Sequence, residues 1–181
     1  MSTVRFITSP RYILEHEFNP TDVNVFLAGP ILGTWDWQGW VETEFKLWAQ
    51  TNKDDITINI FNPRRPEFTD LADFTDSTFY EQVDWEHHHL AEAQRHGITL
   101  FWLANKTKEM PHRNYGLTTL FELGEIVGNS ATTSIPLVVG IEPGFTNEKY
   151  LRYTIADKAP NAILTQTLKD TVEQVINEIT K

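Results

Sequence analysis

The chain has 181 residues, 40% of them hydrophobic and 22% charged, a balance that suits one folded domain with a sizeable core and excludes disorder along its whole length. Fifteen Lys and Arg face twenty-five Asp and Glu, a formal charge of −10, which on average repels a nucleic-acid polymer. Cysteine is absent, so disulfides, thiol nucleophiles and cysteine-held zinc are excluded.

Residues 1–20 (MSTVRFITSPRYILEHEFNP) carry no charged-then-apolar leader pattern, which predicts a cytoplasmic protein, and they are expected as an N-terminal arm or hairpin. Residues 23–28 (VNVFLA) form an apolar run closed by Gly29–Pro30, a strand followed by a breaker. Over 36–50, Trp37, Trp40, Val41, Phe45 and Trp48 recur at helical spacing. Residues 56–61 (ITINIF) are β-branched and end at Asn62–Pro63, after which a polar loop carries Arg64 and Arg65. A helix is expected over 77–95, a buried strand over 98–103 (ITLFWL), a helix over about 117–128 and a strand over 135–141 (IPLVVGI). Residues 161–165 fit a short last strand, and 167–180 a terminal amphipathic helix through Leu168, Val172, Val175 and Ile179.

Strands alternating with helices imply parallel pairing through right-handed crossovers, hence a single α/β domain over 1–181. Ligands of such sheets collect at the carboxyl ends of the strands. That places candidate loops at Gly29–Gly39, Asn62–Asp76, 104–115 and Glu142–Tyr150. No run of about eighteen apolar residues marks a membrane-spanning helix.

Two carboxylates stand out. On the 77–95 helix, Phe79, Val83, Leu90 and Ala93 define an apolar stripe, and position 86 on that stripe is Glu. A buried carboxylate costs several kcal/mol unless it is paired or neutralised. Glu86 therefore either sits at a sheet edge, where it snorkels or pairs with an Arg, or aims into a cleft; Gln82 lies one turn before it on the same face. On the next helix, Leu117, Leu120, Phe121 and Val127 are expected to face inward, with Thr118, Glu122 and Glu125 on another side. Glu122 is placed near the start of a helix that follows a buried strand, where the dipole favours an ionised acid. The alternative for Glu122 is a solvated surface position. Two acids facing one cleft would suit double displacement at an acetal-like carbon, one attacking and one helping the leaving group.

Other chemistry is poorly served. Adjacent helical residues point about 100° apart, so His87–His88–His89 cannot converge on one ion. There is no HExxH, GxGxxG, GK[ST] or GxSxG string. No metal and no dissociable cofactor are expected.

VFLAGPI at 25–31, FNPRRP at 61–66, QVDWEHHHLAEA at 82–93, TLFWL at 99–103 and TTLFELG at 118–124 follow one another in this order. Together they resemble the nucleoside 2-deoxyribosyltransferase family and its relatives among the N-glycosidases, over roughly residues 23–142. The resemblance implies a flavodoxin-like (Rossmann-like) parallel sheet of about five strands flanked by helices. It implies that Glu122, the ELG glutamate, is the nucleophile that forms a covalent 2-deoxyribosyl ester. Glu86 is then the second acid, which manages the leaving base's proton, with Asp84 as its competitor. Substrate contacts fall to Gly29 and Pro30 of the LAGP turn, to Gln82, and to Asn114, Asn62, Trp35 or Asp36 for the base.

The function implied is exchange of 2-deoxyribose between free nucleobases, with small-molecule deoxynucleosides and bases as partners. The alternatives are an N-glycosidase acting on deoxynucleosides or their monophosphates, and a non-catalytic nucleotide-binding module. For monophosphates the first loop offers no basic residue, whereas Arg64–Arg65 do. The resemblance also implies a homo-oligomer. The segment Glu142–Tyr153 (EPGFTNEKYLRY) carries Phe145, Tyr150 and Tyr153 among charges, and its polar tips, Asn147 or Tyr150, are the candidates to reach a neighbouring subunit's sugar pocket.

Overall fold

The computed structural model describes residues 1–13, 17, 19–67, 75–111, 114–130 and 136–181. They group into two compact units, one of Met1–Leu27 with Asp36–Ile98, the other of Ala28–Trp35 with Thr99–Lys181.

The first unit holds β1 (Thr3–Thr8), β2 (Val23–Ala28), α1 (Trp37–Thr51), β3 (Thr57–Asn62) and α2 (Asp76–His96). Both β1 and β2 pair in parallel with β3, which lies between them. β2 and β3 are buried along almost their whole length, as strands covered on both faces must be. The expected N-terminal arm or hairpin is instead a parallel strand, registered from Thr3 opposite Thr57 to Thr8 opposite Asn62. TVRFIT carries no strand-like apolar run because it alternates exposed and covered residues. Arg5 on this strand pairs with buried Asp22 at 2.8 Å, and the Lys46 ammonium sits 4.5 Å from the centre of the Phe6 ring.

Local chemistry sets the helix ends. Asp36 caps α1, its Oδ1 accepting from Gly39 N at 3.0 Å, and a side chain on Gly39 would collide with that carboxylate. Thr75 caps α2 by accepting from Thr78 N at 3.3 Å. α2 ends at Gly97, where an added Cβ would overlap the Asn24 carbonyl oxygen. The buried side of α2 is Gln82, Trp85, His89, Leu90 and Ala93. The expected stripe through Phe79 is corrected: Phe79 is exposed, Val83 only half-buried, and Glu86 flanks the core. Two large rings, Trp85 and His89, fill the space instead, and Trp85 also donates from Nε1 to the Arg11 carbonyl at 2.6 Å.

The second unit carries β4 (Gly97–Leu103, from Thr99), α3 (Leu117–Asn129), β5 (Leu137–Ile141), α4 (Glu148–Lys158), β6 (Ile163–Thr165) and α5 (Leu168–Ile179). β5 pairs in parallel with β4 on one side and β6 on the other. Ile135, part of the expected fourth strand, lies outside the described residues. Gly140 of β5 lets Trp102 of β4 and Thr171 of α5 close over the strand, where a Cβ would meet Trp102 Cε3 at 2.5 Å. The helix α4 was not expected. Asn147 precedes it at φ 61, and Glu148 folds back to accept from Gly144 N at 2.9 Å. Arg152 then donates to the Ile141 carbonyl at 2.7 Å and the Thr165 carbonyl at 3.0 Å, tying α4 to the ends of β5 and β6.

Among the described residues, six parallel strands, three in each unit, and five helices make this an α/β protein of the flavodoxin-like class. The count exceeds the expected five because β1 joins the edge. No helix among the described residues is long and apolar enough to cross a membrane.

Candidate active site

In the first unit, Gln82 and Glu86 of α2 meet the chain just past the end of β3 at Pro63. Gln82 and Asn62 are buried, Glu86 is half-buried, and Asp84 and Asp36 are exposed. Gln82 binds Glu86 directly, its Nε2 donating to Glu86 Oε1 at 2.6 Å and to the Pro63 carbonyl at 2.8 Å. Its Oε1 accepts from Arg65 Nε and from Ser9 Oγ, each at 2.8 Å. The buried Arg65 also pairs with Glu81 at 2.8 Å. Ser9 and Arg65, the partners of Gln82, carry no sequence motif that marks them as such. The signal that pointed toward them was a polar residue, Gln82, on the inner face of α2, because a buried amide needs partners for all its hydrogen-bonding groups.

Asn62 has a local task. Its Oδ1 accepts from Arg64 N at 2.9 Å and its Nδ2 donates to Glu42 Oε1 at 2.7 Å, which folds the turn after β3. Asp36 has two partners, the α1 terminus and Arg64 Nε at 3.2 Å. Arg64 Nε also donates to buried Gln38 at 2.9 Å. Asp84 acts at a distance: the phenol of Tyr12 has its pKa raised, first by burial and then by the charges of Asp84 and Glu81. Of the three histidines, His87 and His88 are exposed, whereas His89 is buried against Trp85 and Phe61. The expected polar or capping stretch therefore contains one core residue.

In the second unit, Gly29 and Pro30 open the segment Ala28–Trp35, which is held to the loop after β4. Gly33, at φ 80, accepts at its carbonyl from Thr107 N at 2.8 Å and Lys108 N at 3.1 Å. Thr34 Oγ1 donates to the Asn105 carbonyl at 3.1 Å. Trp35, 41% exposed, presents part of its ring to solvent. Tyr115 donates to the Ala104 carbonyl at 2.7 Å, and Gly116 starts α3 at φ 69. Asn114 is exposed beside that start, and its carbonyl accepts from Leu117 N at 3.4 Å.

Glu122 is half-buried on α3. The helix is turned from the expected orientation: Thr119, Leu123, Ile126 and Val127 are its buried residues, while Leu117 and Phe121 are 59% and 76% exposed. This moves the Glu122 side chain toward the partly covered flank. Glu122 lies in the second turn of α3, beyond the first turn in which the helix dipole acts strongly. Phe145 is buried and faces Tyr115 with ring centres 6.4 Å apart. Its expected companions at an interface, Tyr150 and Tyr153, are exposed on α4.

Chemically, the first unit offers a half-buried carboxylate held by a neutral amide, and the second a half-buried carboxylate on the helix after a buried strand. Neither arrangement resembles a metal centre, and no cluster of three or more His, Asp or Glu suited to an ion occurs among the described residues. A family model described as nucleoside 2-deoxyribosyltransferase like matches residues 22–144, more than half of the chain and inclusive of both carboxylates. No curated protein matches the chain significantly.

Proposed function

Because the chain belongs to the nucleoside 2-deoxyribosyltransferase-like family, we propose that it moves 2-deoxyribose from one nucleobase to another through an ester on Glu122. The observation that carries this reading is the half-buried Glu122 on the helix after β4, inside the matched span. Its carboxylate attacks C1′ of a deoxynucleoside. The C1′–N bond breaks, and its electron pair leaves with the base, which takes a proton from Glu86. A second base then attacks C1′ from the face the first one left, returns a proton to Glu86 and frees the Glu122 carboxylate. Two inversions give net retention.

The test is to incubate the protein with a deoxynucleoside, with and without a second free base, and to separate the products. A new deoxynucleoside that appears only with the second base supports transfer. Release of free base alone, at the same rate in both tubes, would assign hydrolysis by water. Phosphorylated donors are disfavoured in this reading, since Arg64 faces Asp36 and Arg65 faces Glu81. A guanidinium already beside a carboxylate has less to gain from a 5′-phosphate.

We also propose a homo-oligomer in which the exposed face of α4 meets a second copy. Tyr150 and Tyr153, 68% and 74% exposed, are the ring types that anchor interfaces. Light scattering should report a dimer or larger assembly, and Tyr150→Ala should shift the products toward hydrolysis. A fully active monomer would overturn this assignment.

A further inference from the structure

We propose that Gln82 is a positioning residue that clamps Glu86 Oε1 and thereby confines the proton exchanged by Glu86 to Oε2. This rests on the reading above that Glu86 manages the proton of the leaving base.

The orientation of the amide is set by its neighbours. Arg65 Nε can only donate and the Pro63 carbonyl can only accept. Gln82 Oε1 must therefore face Arg65, and Nε2 must face Pro63. Glu86 Oε1 lies 2.6 Å from the same nitrogen. A hydrogen on that oxygen would point at an N–H, so Oε1 stays an acceptor and the other oxygen carries the proton. Every hydrogen-bonding group of the amide is then occupied: two N–H donors by Pro63 and Glu86, two lone pairs by Ser9 and Arg65. Gln82, expected to touch substrate, is left with no donor or acceptor for it while these bonds hold. The charge on Arg65 also polarises the amide, which strengthens the N–H it gives to Glu86. Ser9 supports the clamp from the end of β1: its backbone N–H donates to the Asn62 carbonyl at 3.1 Å, and its hydroxyl accepts from Arg65 Nε at 3.0 Å.

The experiment compares base exchange across pH for the wild type, Gln82→Glu, Gln82→Met and Glu86→Gln, with thermal melting of each. Gln82→Glu keeps an acceptor for Arg65 but sets two carboxyl groups in hydrogen-bond contact. It should lose about tenfold in kcat near neutral pH with little change in KM, and regain activity as the pH falls. A protonated Glu at position 82 then supplies the missing donor, whereas a purely structural defect would not be reversed by acid. Gln82→Met, unbranched and without a donor, should lose a similar factor without acid rescue. Should Gln82→Glu fail to fold, Gln82→Met decides alone by its kcat and pH profile. Wild-type kcat and pH profile in a folded Gln82 variant, with Glu86→Gln impaired, would overturn the clamp. Full exchange by Glu86→Gln would instead overturn the role given to Glu86, and the clamp with it.

Discussion

His89 is bound to Trp85 in two ways: the ring centres lie 4.1 Å apart, and His89 Nδ1 meets the Trp85 carbonyl oxygen at 2.9 Å. A carbonyl only accepts, so Nδ1 carries the hydrogen and Nε2 is the bare nitrogen. Nε2 is buried without a partner among the described residues. Burial pushes the imidazole pKa down to about 4, against a partial upward pull from the Trp85 carbonyl and a further small lowering by His88.

Between that value and the ordinary 6.5, the unfolded chain binds a proton that the folded chain refuses. The stabilising contribution is full above the unfolded pKa and is lost as the pH falls toward the folded one. Urea unfolding from about pH 7 to about pH 4.5 should show a loss on the order of 2 kcal/mol from this group. His89→Phe should flatten that part of the profile. An unchanged slope in the variant would remove His89 as its source.

Glu122→Gln should lower base exchange by at least about a thousandfold, because an amide does not form the ester and nothing else takes its place. The residue is only half-buried, so melting should shift by no more than roughly a few degrees. A trapped deoxyribosyl adduct on Glu122, read by peptide mass when the acceptor base is withheld, would support the assignment. Near-normal exchange by the Gln variant would end it.

Arg152→Ala should cost about 2 kcal/mol in chemical denaturation. It removes three charge-assisted bonds at once, to Glu148, Ile141 and Thr165. Arg152→Lys should recover less than half of that loss, since one ammonium cannot match a planar fork serving three directions. Equal stability of the Lys variant and the wild type would show that charge alone sufficed.

Gly140→Ala should destabilise by about 2–3 kcal/mol although it adds one methyl group. The methyl would overlap Thr171 Oγ1 and the Trp102 ring. Trp102 is buried on β4, beside Gly140 in the register, and Thr171 is held by Thr165 at 2.6 Å and by the Thr167 carbonyl at 2.7 Å. Neither partner has room to give way. A melting temperature equal to the wild type would refute the clash.

The alternation of strand and helix is legible in the residues alone, because hydrophobic period is a local property. The runs VNVFLA, ITINIF and ITLFWL became β2, β3 and β4 within a residue or so of their expected ends. The order of short motifs likewise pointed to the family that the matched span supports. Which face of a helix turns inward was decided only by tertiary structure. Phe79, Leu117 and Phe121 are apolar yet exposed, while Gln82 and Arg65 are polar yet buried, because Ser9 and Pro63 for Gln82, and Ser9 for Arg65, come from distant parts of the chain to meet their donors and acceptors. Burial depends on that fit as well as on hydrophobicity. The same reason hid β1 and α4: the strand is specified by its register against β3, and the helix by Arg152 reaching the ends of β5 and β6, relationships between segments that no single stretch of sequence contains.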